Sequence, residues 1–344
     1  MNNRRKENFT AHQRNLSKVY KAGPFWQNAL RKIEQEFNKN GILNFRNSDL
    51  NLKFFVPTYG CPGNSFSEEK IQNFTRNISN LSEKQKMYIS NSFDGYNHAL
   101  SDYRTFYSCN FKSDRLNLLS FSESNIGNPT EQFDFYQKIY SRSSLNYLLG
   151  LSFFQQEVPS FIPSRVLEIG GGFGTLGEIL KKCDIPAFKY IDIDLYPMFK
   201  IAYEYGKNVF KDLKIFEYGS SSEEKLKIDK LCQLNYLPNW AIEKLQGKID
   251  LFVNFISFQE MEPEIVKNYA FHIQRLKPEF LLLRNLKEGK QKQAKGNLGV
   301  KKPILRGDYF AFFDEYKLRA SNTIPFGYKT VDGFHSELMI LEKR

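Results

Sequence analysis

The residues best suited to chemistry lie in the run Val166-Leu167-Glu168-Ile169-Gly170-Gly171-Gly172-Phe173-Gly174. An apolar strand ends in an acid, and glycines crowd the turn that follows. Glycine serves where a backbone must take positive φ or let a ligand approach closely. A helix opening after the turn presents unpaired N–H groups. Asp194 closes the next apolar run, Tyr190-Ile191-Asp192-Ile193-Asp194, about 20 residues beyond the glycines. A carboxylate there can accept both hydroxyls of a ribose.

Two ligand classes compete for such a turn. Gly172-Phe173-Gly174-Thr175-Leu176-Gly177 meets the dinucleotide spacing G-x-G-x-x-G. A dinucleotide, however, puts a pyrophosphate in the turn, where the strand-end acid Glu168 repels it. S-adenosylmethionine carries no phosphate; its ammonium and sulfonium suit an acid. The bland alternative is a tight strand–helix turn that holds nothing.

The elements that position this turn follow from periodicity. Beyond Pro163, short apolar runs alternate with amphipathic segments. Arg165–Ile169, Phe188–Ile193, Leu234–Leu237, Asp250–Phe255 and Phe280–Leu283 read as strands. Helices are expected at about 174–182, 196–210, 239–246 and 262–275. Such alternation predicts a parallel sheet covered on both faces. Lys317–Ala320 and Ser336–Leu341 have no helix between them, which predicts an antiparallel terminal hairpin. The stretch 211–232 reads as an insertion. Upstream, residues 1–20 read as a frayed polar arm, and Pro24 opens a helix that Gly41 caps. Helices are also expected at 67–90, at 92–106 and from Ser141 to before Pro159. The expected division is therefore a mostly helical region over 1–160 and a Rossmann-like α/β domain over 161–344.

In an open parallel sheet, ligands sit beyond the carboxyl ends of the strands. That rule selects Asn254, Ser257, Gln259 and Glu260 after the fourth strand, and Arg284 after the fifth. His335 precedes the last strand, whose reversed direction brings it to the same rim. His is the natural base near neutral pH. His12 falls in the polar arm, His98 in the helical region and His272 in a helix, which leaves His335; Glu260 is the second candidate. Each has a plain structural reading, a hydrogen-bonded strand-start His and a helix-start carboxylate. Gln259 and Arg284 suit hydroxyls or a phosphate. Phe173 and Trp240 can flank an adenine or merely pack the core. Asp192, Asp194 and Glu260 cannot be called a metal set from the sequence, and no metal is expected.

Composition bounds the rest. The chain has 344 residues, 41% of them hydrophobic and 15% aromatic, enough for a large core and too much for a disordered chain. No apolar run reaches the ~18 residues that span a bilayer, and the basic N-terminus lacks the apolar stretch of a secretory signal. The four cysteines lie far apart, which argues against a zinc ribbon and a disulfide framework. A cytoplasmic protein is expected. The net charge of +11 suggests a polyanionic partner. It is spread over both halves, +6 to residue 163 and +5 beyond, so a solvated surface explains it better than a nucleic-acid footprint. Residues 284–306 concentrate eight basic side chains against Glu288 alone and read as a mobile basic loop, either solvated or closing over an anionic substrate.

The order Glu168-Ile169-Gly170-Gly171-Gly172 resembles that of class I S-adenosylmethionine-dependent methyltransferases. More narrowly, the chain is similar to the bacterial sugar O-methyltransferase family over most of residues 24–344. The segments that carry the likeness include Phe55-Val56-Pro57-Thr58-Tyr59-Gly60, Glu123-Ser124-Asn125-Ile126-Gly127-Asn128-Pro129, Leu145-Asn146-Tyr147, Ser257-Phe258-Gln259-Glu260-Met261, Leu283-Arg284-Asn285 and His335-Ser336-Glu337-Leu338. The resemblance implies a seven-stranded sheet with S-adenosylmethionine held by Glu168, Gly170, Gly171, Gly172, Phe173, Gly174, Asp194 and Asn254. It implies a sugar, nucleotide-sugar or glycan acceptor bound by Glu123, Asn125, Asn128, Gln259 and Arg284, with His335 or Glu260 as base. The helical region then serves as a lid, a dimer surface or both. An RNA or small-metabolite methyltransferase, and a silent cofactor-binding scaffold, are the competing readings.

Overall fold

In the computed structural model, residues 17–48, 50, 54–55, 66, 68–78, 80–185, 188–219, 225–294, 299–330 and 333–344 are described. His12, Cys61 and most of the Phe55–Gly60 segment lie outside them. The first helices are α1 (Pro24–Asn40), α2 (Glu68–Arg76), α3 (Glu83–Phe93) and α4 (Tyr96–Asn110). Gly41 ends α1 at φ 67°, as expected of a C-terminal glycine. The single helix expected over 67–90 is two. Ser82 caps α3 by a reciprocal pair with Gln85, and Asn80 before it takes φ 70°. A small hairpin, β1 (Phe133–Phe135) and β2 (Lys138–Tyr140), precedes α5 (Arg142–Glu157), which Ser141 caps.

The rest of the chain builds the sheet in alternation. It runs β3 (Arg165–Ile169), α6 (Thr175–Lys182), β4 (Lys189–Asp194), α7 (Met198–Val209), β5 (Ile215–Glu217), β6 (Leu226–Lys227), β7 (Leu234–Pro238), β8 (Leu245–Gln246) and β9 (Leu251–Phe255). Then follow α8 (Pro263–Arg275), β10 (Phe280–Leu286), α9 (Arg306–Phe312), β11 (Tyr316–Asn322), β12 (Tyr328–Lys329) and β13 (His335–Lys343). The main sheet has the order β11-β13-β10-β9-β3-β4-β7-β5, with β12 added to β13. β13 runs antiparallel to β10 and β11, and the other neighbours along the order are parallel. This is a Rossmann-like sheet closed by a reversed strand.

Three expectations need correction. The sheet has nine strands rather than seven: β5 lies inside the presumed insertion and pairs with β7, and β12 is the other addition. Residues Asn239–Lys244 form a 3-10 turn, not an α-helix. Their apolar residues are nearly contiguous and buried all round, so the segment never becomes an amphipathic helix. The polar arm is packed at its end, where Tyr20 is buried against Tyr269 with its hydroxyl 3.3 Å from His272 Nε2.

Both sheet faces are covered, so the strands are apolar on both sides. Val166, Tyr190, Val253, Leu282 and Ile340 pack under α4, α5, α6 and α7. Leu167, Ile191, Phe252, Leu283 and Leu341 pack under α8 and the turn Asn239–Lys244. Helix α5, upstream of the expected boundary at 160, shares the first of these cores with the sheet. Gly150 permits this, since a Cβ there would sit 2.2 Å from the Phe255 ring. A third cluster joins Leu30 and Ile33 of α1 to Phe45, Phe173, Met198 and Tyr205. No helix among the described residues is long and apolar enough to cross a membrane.

Candidate functional site

A cleft of about 590 Å³ opens above the carboxyl ends of the parallel strands, within the size range of small-molecule sites. Its floor comes from the sheet: Ile169 to Phe173 after β3, Asp194 and Leu195 after β4, Asn239 after β7, and Phe255 to Ser257 after β9. Its roof comes from upstream, with Trp26, Leu30, Phe54 and Phe55 over the glycine turn.

The glycine turn is constrained by carboxylates beneath it. Gly170 donates its N–H to Ile193 O at 2.9 Å, Gly171 to Asp192 Oδ1 at 3.0 Å and Gly172 to Asp194 Oδ2 at 3.0 Å. Gly170 and Gly172 have φ of 78° and 66°, a region that glycine alone enters freely. A Cβ on Gly171 would sit 2.7 Å from Asp192 Oδ1 and 2.8 Å from Glu168 Oε2. The turn's amides are thus spent on the protein's own acceptors, and a pyrophosphate would face carboxylates instead of donors. This decides the competition left open by the G-x-G-x-x-G spacing against a dinucleotide.

Glu168, Asp192 and Asp194 form an acidic tier. Glu168 is fully buried; Tyr147 donates its hydroxyl to Oε1 at 2.7 Å and Tyr190 donates to Oε2. Burial pushes Glu168 up to about 7, although both tyrosine hydroxyls favour the carboxylate. Burial likewise pushes Asp194 up to about 7, against the amides of Leu195 and Gly172. Asp192 rises well above the usual range through burial and then through its two acidic neighbours. Asp192 Oδ2 is buried and has no hydrogen-bond partner among the described residues. No Lys or Arg among the described residues offsets the titration of these three. A tier of this kind accepts a cation.

The expected cofactor residues divide. Gly170, Gly171, Gly172, Phe173 and Asp194 border the cleft. Glu168 lies directly under Gly171. Gly174 turns toward the Tyr236 ring and Asn254 is buried beneath the floor, so neither borders the cleft. Asn254 Nδ2 donates to Ile169 O and Ser257 Oγ, while Oδ1 accepts from Phe258 N and Asn285 Nδ2. It ties three strand ends together. Phe173 packs edge-on against Phe45, Phe55 and Tyr205, with the Arg46 guanidinium 4.7 Å from its centroid. Trp240 is buried in the core.

The expected acceptor residues mostly serve the frame. Glu123 is buried, with Oε1 taking Arg46 Nη2 at 2.6 Å and Oε2 taking Ser141 N and Ser144 Oγ. Asn125 and Asn128 are exposed turn residues, Asn128 at φ 49°, and the loop's carbonyls at Ser124, Ile126 and Gly127 hold Arg46. Arg284 is fully buried, donating Nη2 to the carbonyls of Asn146 and Phe326 beside the Phe255 ring. Gln259 does border the cleft, fixed by Leu286 N on its Oε1.

The two expected bases differ in placement. Glu260 ends the 3-10 turn Ser257–Glu260 and borders the cleft; Trp26 Nε1 donates to Oε2 at 3.1 Å and Lys290 Nζ to Oε1 at 2.6 Å. Ile256, just before this turn, sits at φ 72°, a strained conformation for a β-branched residue. His335 starts β13 beside the end of β10, as its reversed strand predicts. Its Nδ1 lies 2.6 Å from Glu288 Oε1, and its N–H goes to Glu288 Oε2. Burial opposes ionisation of Glu288, but the two His335 contacts hold it below its usual value. The pair stands outside the cleft, although the preceding Phe334 borders it.

The basic stretch 284–306 is anchored where it is described. Lys301 and Lys302 donate their amides to Glu262, and Val300 and Ile304 are buried. Among the described residues no group of three His, Cys, Asp or Glu is arranged to hold a metal. Sequence reasoning passed over Asn239 and Asn146, both on the cleft. The strand-end rule, applied to β7, points to Asn239. Asn146 stood in a segment quoted for its likeness, with no role attached.

No protein-family model and no curated protein matches the chain. Among solved structures it is similar to magnesium protoporphyrin IX methyltransferase of Synechocystis PCC 6803 with bound SAH, at 12% identity over 71% of this chain and 99% of that one, TM-score 0.40. It is also similar to a SAM dependent methyltransferase from Aquifex aeolicus, at 14% over 56% and 89%, TM-score 0.35. A further similarity is to mitomycin 7-O-methyltransferase, at 10% over 94% and 70%, TM-score 0.35.

Proposed function

We propose that the chain is an S-adenosylmethionine-dependent O-methyltransferase acting on a sugar hydroxyl, free, nucleotide-linked or within a glycan. The observation that carries the cofactor reading is the spent glycine turn over the buried carboxyls of Glu168 and Asp192 and the carboxyl of Asp194, none of them paired with a Lys or Arg among the described residues. The residues present fit a cationic nucleoside: a Cβ on Gly172 would meet nothing nearer than Phe55 at 3.8 Å, so this glycine keeps the turn open toward the cleft, and Asp192 Oδ2 is buried with no hydrogen-bond partner among the described residues. When bound, the cofactor supplies a methyl group on a sulfonium.

Asp194 holds the ribose hydroxyls, and Glu168 and Asp192 hold the cationic end from below. Trp26, Phe54 and Phe55 exclude water above the turn. Orienting an acceptor oxygen in line is worth several kcal/mol by proximity alone. Glu260, the proposed base, takes the hydroxyl proton as the new bond forms. Lys290 holds one oxygen of Glu260 and Trp26 the other, which fixes the plane of the carboxyl. His335, oriented by Glu288, is the second candidate. In this reading residues 1–160 supply the roof and one acceptor wall, and 161–344 supply the cofactor floor. The sugar is the part that rests on the resemblance.

Calorimetry with S-adenosylmethionine and S-adenosylhomocysteine tests the cofactor. Wild type binds both and Asp194→Ala loses at least tenfold; no binding to wild type overturns the reading. Mass spectrometry of glycan and nucleotide-sugar pools, with and without the gene, tests the acceptor. One methyl mass lost from a saccharide, and restored by the wild-type gene but not by Glu168→Ala, supports a sugar. Unchanged saccharides remove it.

A further inference from the structure

We infer that the acceptor binds over β9, β10 and β12, in a neutral subsite centred on Asn146, which accepts a hydrogen bond from a hydroxyl of a saccharide ring. This rests on the methyltransferase reading and deepens it.

The sheet order divides the cleft. Asp194 and Asn239 follow β4 and β7, so a nucleoside held there extends across β3 toward β9. The remaining half lies between the start of α5 and the ends of β9, β10 and β12. Its lining includes Ser143, Asn146, Gln259, Tyr328 and Thr330, all neutral amides or hydroxyls. The rings of Tyr147 and Phe255 stack at 4.9 Å and 6° along the same wall. An aromatic face beside several neutral hydrogen-bonding groups matches the apolar face and hydroxyl edge of a pyranose. Glu260 and Lys290, which also border the cleft, pair with each other.

Asn146 is the distinctive member. It is buried, it borders the cleft, and its Oδ1 has no hydrogen-bond partner among the described residues. A buried acceptor without a donor is costly in a folded protein and calls for an explanation. Asn146 cannot readily move to find one. The buried helix α5 carries it, and its carbonyl accepts from Arg284 Nη2 at 3.3 Å. A fixed amide with an unmet acceptor is suited to recognising a donor brought by a ligand. Arg284 is then a positioning residue for this wall.

The test is ligand-observed NMR titration with the methyl glycosides of glucose, galactose, mannose and rhamnose, on the protein alone and saturated with S-adenosylhomocysteine. Wild type is expected to bind at least one of them. Asn146→Ala and Ser143→Ala are each expected to weaken it about tenfold, the loss of one neutral hydrogen bond, with S-adenosylhomocysteine affinity unchanged. The matching deoxy-glycoside should bind wild type and Asn146→Ala alike, because only the missing hydroxyl uses that amide. If Asn146→Ala does not fold, Asn146→Ser and Ser143→Ala carry the comparison. Glycoside binding indifferent to these variants overturns the subsite. Absence of glycoside binding beside normal S-adenosylhomocysteine binding also overturns it, and leaves the methyltransferase reading standing. Glycoside binding that needs Asn146, in a protein that binds neither form of the cofactor, has the opposite meaning.

Discussion

If the acidic tier exists to meet a cation, cofactor affinity must depend on pH, and Glu168→Gln must change that dependence. Glu168 is pushed up to about 7 by burial. Below that value the protein holds a proton that a cationic ligand must displace. For one such proton, affinity should rise about 25-fold between pH 5.5 and 7.5, a range that stops below the ordinary titration of an α-amine. Asp194, also near 7, steepens the rise if it gives up a proton too. The same shift acts on stability with a fixed sign. A carboxyl whose folded value lies above its unfolded one stabilises fully below about pH 4, and that contribution is lost as pH rises through 7. For Glu168 the contribution is about 3 kcal/mol at 1.36 kcal/mol per unit. Glu168→Gln keeps the shape and can still accept a tyrosine hydroxyl. It should bind S-adenosylmethionine at least tenfold more weakly at pH 7.5, with a shallower pH dependence. Without ligand it should be more stable than wild type at pH 8 and show a smaller difference at pH 5. Calorimetry across the range and urea unfolding at its ends measure both effects. Wild-type affinity that is flat from pH 5.5 to 7.5 would refute the reasoning, and so would a variant with wild-type affinity and slope.

Four further outcomes follow from other contacts. Gly171→Ala drives a methyl to within 2.8 Å of two carboxylate oxygens, so cofactor affinity should fall more than tenfold and stability by about 1–3 kcal/mol; calorimetry and thermal melts check it. Arg46→Met strands the buried Glu123 carboxylate and should cost about 3–5 kcal/mol in urea unfolding. Glu123→Gln in the same background should recover part of that loss. Glu260→Gln should lower kcat by about 10²–10⁴, while His335→Ala stays within about tenfold; the reverse order would move the base to the His335–Glu288 pair. Lys301→Glu with Lys302→Glu should raise KM for a nucleotide-linked sugar and flatten its salt dependence, leaving a free glycoside unaffected; steady-state kinetics at two ionic strengths decide it.

Much of the fold was legible because strands buried on both faces read as continuous apolar runs. Phe280–Leu283 is such a run, and Leu251–Phe255 is broken only by the buried Asn254. The glycine turn was legible for a local reason, since its glycines answer to carboxylates within about 22 positions of them. What failed was nonlocal or short. Glu123 looked like a ligand residue because its partner Arg46 lies 77 positions away. Asn254 looked exposed at a strand end, but Ile169 and Asn285 close over it. β5 has three residues and borrows its identity from β7. The break in 67–90 was written in Ser82 and Gln85, a capping signal the helical periodicity concealed.

The basic stretch 284–306 shows why charge counted along a sequence overstates charge offered to a ligand. Arg284 is spent on the carbonyls of Asn146 and Phe326, inside the protein. Lys290 is spent on Glu260, and Arg306 on Glu337 at 2.8 Å. Lys287, Lys292, Lys301 and Lys302 are exposed, and none of them borders the cleft. Among the described residues the basic side chains that border the cleft are Lys21 and the paired Lys290, and the acidic tier sits under the glycine turn. A phosphate near the reacting ring would meet neutral amides on one side and an acidic tier on the other. A phosphate farther along the acceptor would meet the exposed lysines. On the proposed reading, recognition of the ring falls to uncharged groups, and any hold that the exposed lysines of 284–306 have on an anionic remainder lies outside the cleft.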